Sequence, residues 1–280
     1  MSKIVSGIAA ALLVCWTNIA IAQTPSPTPT TSPSVPAAIP TATAPDLMML
    51  GKAASAFWRT NRAQTESQVI MTLRDKDNEI KVYFKVKIIA ETGNKFRLEL
   101  VLNKPTGEQK ATYTVISDGK QVWTYSPDKR QYAQTTYAKF QDDASPFVIG
   151  ASSMLFLSIP ESDRKQMIAE LASNPNSLAV LSKDDLTGVQ GGKRLVDGQD
   201  LYVFSYNEKK EKWNISGFFQ PETGIIKQVE IAGKVEGMEF VMTEKIISRN
   251  SQPIVDSKTF KFLPPKGAKK VKALSIDLFK

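Results

Sequence analysis

Between residues 80 and 102 the chain alternates. Ile80, Val82, Phe84, Val86 and Ile88 share one side of a strand, with Lys81, Tyr83, Lys85 and Lys87 on the other. Phe96, Leu98, Leu100 and Leu102 repeat the pattern opposite Arg97 and Glu99. A period of two fits a strand with one covered face and one solvated face, not an amphipathic helix, whose apolar positions recur every three or four residues. The interruptions are turn chemistry: Asp75 to Asn78, Thr92-Gly93-Asn94, Pro105-Thr106-Gly107, Asp118-Gly119 and Pro221-Glu222-Thr223-Gly224. Short alternating strands joined by tight turns describe an antiparallel meander. A second group of strands is expected at 201–206, 213–219, 225–232, 239–248 and 259–263.

Three segments read as helix. Asp46 is placed to cap one, and Leu47, Met48, Leu50, Ala54, Phe57 and Trp58 then recur at near-helical spacing up to about Arg62. The others are expected at 146–157 and 161–172, between the two strand groups. The fold class is therefore α+β, mainly β: a single curved antiparallel sheet interrupted midway by helices. Phe147, Val148, Ile149, Met154, Leu155, Phe156 and Leu157 make the first inserted helix apolar all round, so it must lie against something apolar. It either plugs the core or forms a lid over a cavity.

The N-terminus has different physics. Lys3 precedes an apolar run from Ile4 to Val14, and Ala20-Ile21-Ala22 offers small residues where a signal peptidase reads, so residues 1–22 form an expected cleavable leader ending before Gln23. The run falls short of the roughly 20 apolar residues needed to cross a bilayer. Cys15, the sole cysteine, has the outline of a lipoprotein box around it, but the β-branched Val14 stands where that peptidase prefers Gly, Ala or Ser; an ordinary signal residue is the reading adopted. Residues 23–45 are almost entirely Thr, Ser, Pro and Ala, a composition that cannot bury enough apolar surface to offset its ordering entropy. This linker reaches on the order of 70 Å if fully extended. Residues 46–280 suit one domain.

Composition narrows the function. The sequence has no histidine, and cleavage before Gln23 leaves no cysteine, which removes Ser-His and Cys-His nucleophilic sites and imidazole or thiolate metal sites. Ser-x-x-Lys recurs at Ser117, Ser126 and Ser162 without a partner Lys-Thr-Gly. Asp142-Asp143 and Asp184-Asp185 lack the ligand spacing of a calcium loop. No enzyme, cofactor or metal is expected. A net charge of +8 permits contact with anionic lipid or nucleic acid, but the lysines stand singly along strands and in the tail, with no recognition motif for nucleic acid. Lys81, Lys85 and Lys87, and Lys266, Lys269, Lys270 and Lys272, form one-sided rows: either solvated faces or docking rows for anionic headgroups.

Three motifs carry a family resemblance. Ile116-Ser117-Asp118-Gly119-Lys120-Gln121-Val122-Trp123-Thr124-Tyr125-Ser126-Pro127 resembles a hairpin of the periplasmic outer-membrane lipoprotein carrier family (LolA/LolB-like). Ser145-Pro146-Phe147 is similar to the opening of that family's mid-chain helices, and Phe260-Lys261-Phe262-Leu263-Pro264-Pro265-Lys266-Gly267 to its C-terminal signature. The resemblance implies a half-open antiparallel barrel whose concave apolar face is covered by helices acting as a lid. Acyl chains of a lipoprotein, or another lipid, bind between sheet and lid. The family's Arg-Pro pair just before the strand that here begins at Lys95-Phe96 is replaced by Thr92-Gly93, so its releasing arginine has no counterpart.

The resulting expectation is a monomeric periplasmic carrier that shuttles acyl chains between membranes. Its partners would be an inner-membrane transporter, an outer-membrane receptor and, peripherally, the anionic membrane surface. Candidate lipid contacts are Val82, Phe84, Val86, Leu98, Leu100, Trp123, Phe147, Met154 and Phe156; candidate membrane-docking residues are Lys81, Lys85 and Lys87. The alternatives are a lipid- or lipoprotein-sensing regulatory module and a scaffold whose interior is filled by its own side chains.

Overall fold

The computed structural model describes residues 45–142, 145–173, 188–208, 213–235, 237–276 and 278. The expected leader and nearly all of the Pro-rich linker lie outside the described residues, as does Asp184-Asp185. Helix α1 (Leu47–Trp58) starts where expected: Asp46 Oδ1 accepts from the Met49 N–H at 3.1 Å, satisfying one of the free donors of the first turn. Its buried face carries Leu50, Ala53, Ala54, Phe57 and Trp58.

Six strands follow: β1 (Arg62–Arg74), β2 (Glu79–Glu91), β3 (Lys95–Asn103), β4 (Gln109–Asp118), β5 (Gln121–Ser126) and β6 (Gln131–Thr136). Helix α2 (Tyr137–Asp142), a 3-10 turn (Ser145–Ile149), α3 (Ala151–Ser158) and α4 (Glu161–Ser173) make up the insertion. The second group is β7 (Val189–Val196), β8 (Gln199–Glu208), β9 (Trp213–Phe219), β10 (Ile226–Val235), β11 (Met238–Asn250) and the short β12 (Lys269–Lys270). The strands form one 12-stranded sheet in the order β12-β6-β5-β4-β3-β2-β1-β11-β10-β9-β8-β7. Two meanders are thus joined by the long-range pairing of β1 with β11, and the two ends do not meet. This unclosed sheet with helices on one face is the arrangement the resemblance implied.

The alternation is realised as read. Val82, Phe84, Val86, Ile88, Phe96, Leu98, Leu100 and Leu102 are buried on the helix-covered face, with Ile80 at the strand end 45% exposed. Helix α3 lies against β2 and β10, and α1 packs on α4.

Two expectations are corrected. The helix expected over 146–157 is split by Gly150 (φ 80°) into a 3-10 turn and α3. Residues 259–263 form no strand: 257–260 are a turn and 261–265 run on as irregular chain. Pro264 and Pro265 donate no ladder hydrogen bond, and the segment instead crosses the sheet's outer face, where Phe262 stacks on Trp123 at 6.2 Å and packs on Tyr132 at 5.2 Å. The chain rejoins the sheet only at β12, the one parallel pairing among the described strands.

Candidate functional site

The pairing registers define rows of side chains across the inner face. One runs Leu102, Phe84, Val69, Glu244, Val229, Gly217, Phe204 over β3, β2, β1, β11, β10, β9 and β8. The next runs Val82, Met71, Met242, Ile231, Ile215. These rows are apolar except at one place. Glu244 is fully buried at the centre of the sheet, where alternation with Phe240 and Met242 turns it inward.

Its partner is α3. Glu244 Oε2 accepts from the Ser152 N–H at 2.7 Å, and Oε1 from the Ser152 hydroxyl at 2.9 Å. The carboxylate thereby caps the N-terminus of α3, where free N–H groups and the helix dipole favour negative charge. A Cβ at Gly150 would stand 2.7 Å from Glu244 Oε1, so a glycine is what lets α3 begin on the carboxylate. Burial pushes the Glu244 pKa above the usual carboxylate value, opposed by the Ser152 hydrogen bonds and the positive charge of Arg249. Otherwise α3 is held by apolar packing: Ala151, Leu155, Phe156 and Leu157 are buried, and Phe147 in the preceding turn meets Phe240 at 5.3 Å.

Under α1 and α3 the packing leaves an apolar void of about 20 Å³, lined by Leu50, Phe57, Leu155, Phe204, Ile215, Gly217, Phe219, Ile226 and Val229. That is room for about one water and none for an acyl chain. A larger open cleft, about 690 Å³, lies at the other side of the C-terminal end of α1. Trp58, Arg59, Thr60, Asn61, Arg62, Arg164, Lys165 and Ile168 are among its lining residues. At the shared wall Arg249 lies over the Phe57 ring at 4.2 Å and over Phe156 at 5.5 Å, donating to the Thr65 hydroxyl at 3.0 Å and the Phe57 carbonyl at 3.4 Å. Burial lowers its pKa to about 10, against the pull of Glu244.

Of the nine candidate contacts, Val82, Phe84, Val86, Leu98 and Leu100 lie together on the inner face, with Phe147, Met154 and Phe156 in the helical layer above. Trp123 is corrected. It pairs with Ile116 on the outer face, under Phe262. The residues that line the void on β8, β9 and β10 were missed; the period-two alternation of Ile215 and Gly217 was the available signal, masked by a glycine at an inward position. Lys81 and Lys87 stand on the outer face in ion pairs with Glu79 (2.5 Å) and Glu66 (3.0 Å), whose hydrogen bonds raise both lysine pKa values. The docking row is therefore interleaved with acid. Among the described residues, no group of three His, Cys, Asp or Glu side chains is placed to hold a metal ion, and no helix is long and apolar enough to cross a membrane.

No known protein family and no curated protein matches the sequence. In structure the chain is similar to an uncharacterized conserved protein from Thermus thermophilus (9% identity, 80% of this chain and 97% of that one, TM-score 0.41). It is also similar to LprF from Mycobacterium bovis (9%, 76% and 96%, 0.36) and to a LolA superfamily protein from Nitrosomonas europaea (10%, 76% and 96%, 0.32).

Proposed function

We propose that this protein is exported to the periplasm by residues 1–22 and that its domain, residues 46–280, holds acyl chains of a lipoprotein or lipid between the inner sheet face and α3. No bond is made or broken in this role. The observation that carries the reading is the inner face itself: rows of apolar side chains cross the sheet and are closed by an apolar helix whose main polar attachment is Glu244 to Ser152. Such a lid opens at the cost of one hydrogen-bonded cap plus the apolar contacts that an incoming chain replaces. Each methylene buried then contributes about 0.8 kcal/mol without any directional contact. In the closed state the interior is filled, so binding requires α3 to move outward.

Native mass spectrometry of the purified exported protein tests this. A population carrying the added mass of a lipid, removed by solvent extraction and restored by incubation with lipid, is expected. Protein that stays empty under every lipid tested contradicts the reading and leaves a scaffold filled by its own side chains.

A further inference from the structure

The cleft at the end of α1 has no role in burying acyl chains, yet its chemistry is specific. Four cations, Arg59, Arg62, Arg164 and Lys165, are in its lining, and among the described residues no carboxylate is. Arg62 and Lys165 have acidic partners beside the cleft, Glu91 at 3.6 Å and Glu161 at 2.6 Å, whereas Arg59 and Arg164 have no such ion pair among the described residues. Arg164 is the unusual member. Its side chain is 2% exposed, its guanidinium lies over Phe156 at 5.4 Å, and its Nη1 has no hydrogen-bond partner. Trp58, 1% exposed and also in the lining, likewise leaves Nε1 without an acceptor.

Buried donors without acceptors cost stability, and two of them in the wall of one cleft point to an acceptor that arrives from outside. An anion with several oxygens satisfies the guanidinium fork and the indole N–H together. The cleft also adjoins the lid. Phe57 lines the apolar void and Trp58 the cleft, with their rings 5.0 Å apart, and Phe156 of α3 touches both Phe57 and Arg164.

We propose that this cleft binds the anionic headgroup, phosphate or carboxylate, of the lipid whose acyl chains lie under α3. The inference rests on the acyl-chain reading above and adds selectivity to it: a single amphiphile places its charge against Arg164, Arg59 and Trp58 and sends its tail past Phe57 and Phe156 beneath the lid. A neutral lipid without phosphate or carboxylate leaves the buried donors unsatisfied, and a zwitterionic one brings its own cation against four basic side chains.

Calorimetric titration of the delipidated protein with three probes tests it: dihexanoyl phosphatidylglycerol and dihexanoyl phosphatidylcholine, both below their micelle concentrations, and inorganic phosphate. Phosphatidylglycerol is expected to bind about tenfold tighter than phosphatidylcholine, whose choline cation is repelled by the four basic residues of the cleft. Inorganic phosphate should compete with phosphatidylglycerol for the site. Arg164→Gln should abolish the preference and Arg164→Lys retain part of it. If Arg164→Gln does not fold, the exposed pair Arg59→Gln with Lys165→Gln carries the test and should weaken phosphatidylglycerol alone. Equal binding of both lipids, unchanged in these variants, overturns the headgroup site and leaves the acyl-chain reading standing. Phosphate binding without either lipid identifies an adventitious ion only and overturns both, as does silence from all three probes.

Discussion

The two halves of the sheet are built differently. Strands β1 to β6 contain no glycine, and their inner face is lined by Val69, Met71, Phe84, Phe96, Leu98 and Leu100, all nearly without solvent contact. The other half places glycines inward: Gly191 and Gly217 flank Phe204 in one row, and Gly233 lies opposite Phe240. Each is roofed by a ring: a Cβ at Gly191 would stand 2.7 Å from the Tyr202 hydroxyl, one at Gly217 2.7 Å from the Phe219 ring, and one at Gly233 would meet Trp213. The first half is a close-packed wall; the second is a set of notches filled by side chains that rotate about two torsions. The void lies in the second half, so under the proposed function an acyl chain enters there by displacing rings from notches.

Disturbing the wall should have the largest effect. Phe84→Ala is expected to cost about 3–5 kcal/mol of folding stability, since neighbours in a close-packed region collapse only partly into the gap. Urea unfolding measures it, and a loss below about 1 kcal/mol would deny the wall its rigidity.

The cap of α3 comes next. Glu244→Ala leaves the Ser152 N–H buried without an acceptor, an expected loss of about 1–3 kcal/mol with faster hydrogen exchange in α3. Glu244→Gln keeps the shape, and its test is pH. The native state binds the Glu244 proton more tightly than the unfolded chain, because burial raises the pKa above 4.5. This group's stabilising contribution is therefore complete below about pH 4.3 and is lost as pH rises through the raised native value. Wild type should lose stability relative to Glu244→Gln across that rise; a difference that is flat with pH, or of opposite slope, contradicts the assignment.

Filling a notch should do less to folding and more to function. Gly217→Val crowds Phe219, at an expected cost of about 1–3 kcal/mol, and should lower lipid binding at matched folded fraction. Phe84→Ala should not lower it in proportion. Equal losses in both variants would erase the distinction between the halves. Smallest of all, Lys81→Gln with Lys87→Gln should leave the unfolding midpoint unchanged, because exposed ion pairs are screened. Vesicle co-sedimentation at rising salt reads their part in docking: binding that ignores the substitutions removes the outer-face row from the account.

The same contrast explains what was legible in the sequence. A wall of large apolar residues alternating with Lys and Glu shows its period directly, so β2, β3 and their turns are readable from residues 80 to 102. Inward glycines interrupt that signal, which hid the void-lining face of β9. Trp123 and Tyr125 are the large aromatic residues of β5 and two of the three inward residues, Thr124 and Ser126, are polar, so side-chain type alone turned β5 the wrong way; only the distant Phe262 shows that the outer face is roofed as well. Glu244 was within reach, as the one charge in the run Phe240, Met242, Glu244, Ile246, but a lone glutamate reads as a solvated residue until the helix it caps is known. The cation cleft has no local signature, because the junction of α1 with β1, α4 and the segment after β11 each supply a few residues to it.

Cross-linking with a lipid that carries a diazirine in its acyl chain, followed by peptide mapping, tests the central claim most directly. Label is expected on β8, β9 and β10, at Phe204, Ile215, Phe219 and Val229, and on Leu155 of α3. Label confined to the outer face, around Trp123 and Phe262, or spread without preference over the surface, would contradict acyl-chain binding beneath the lid.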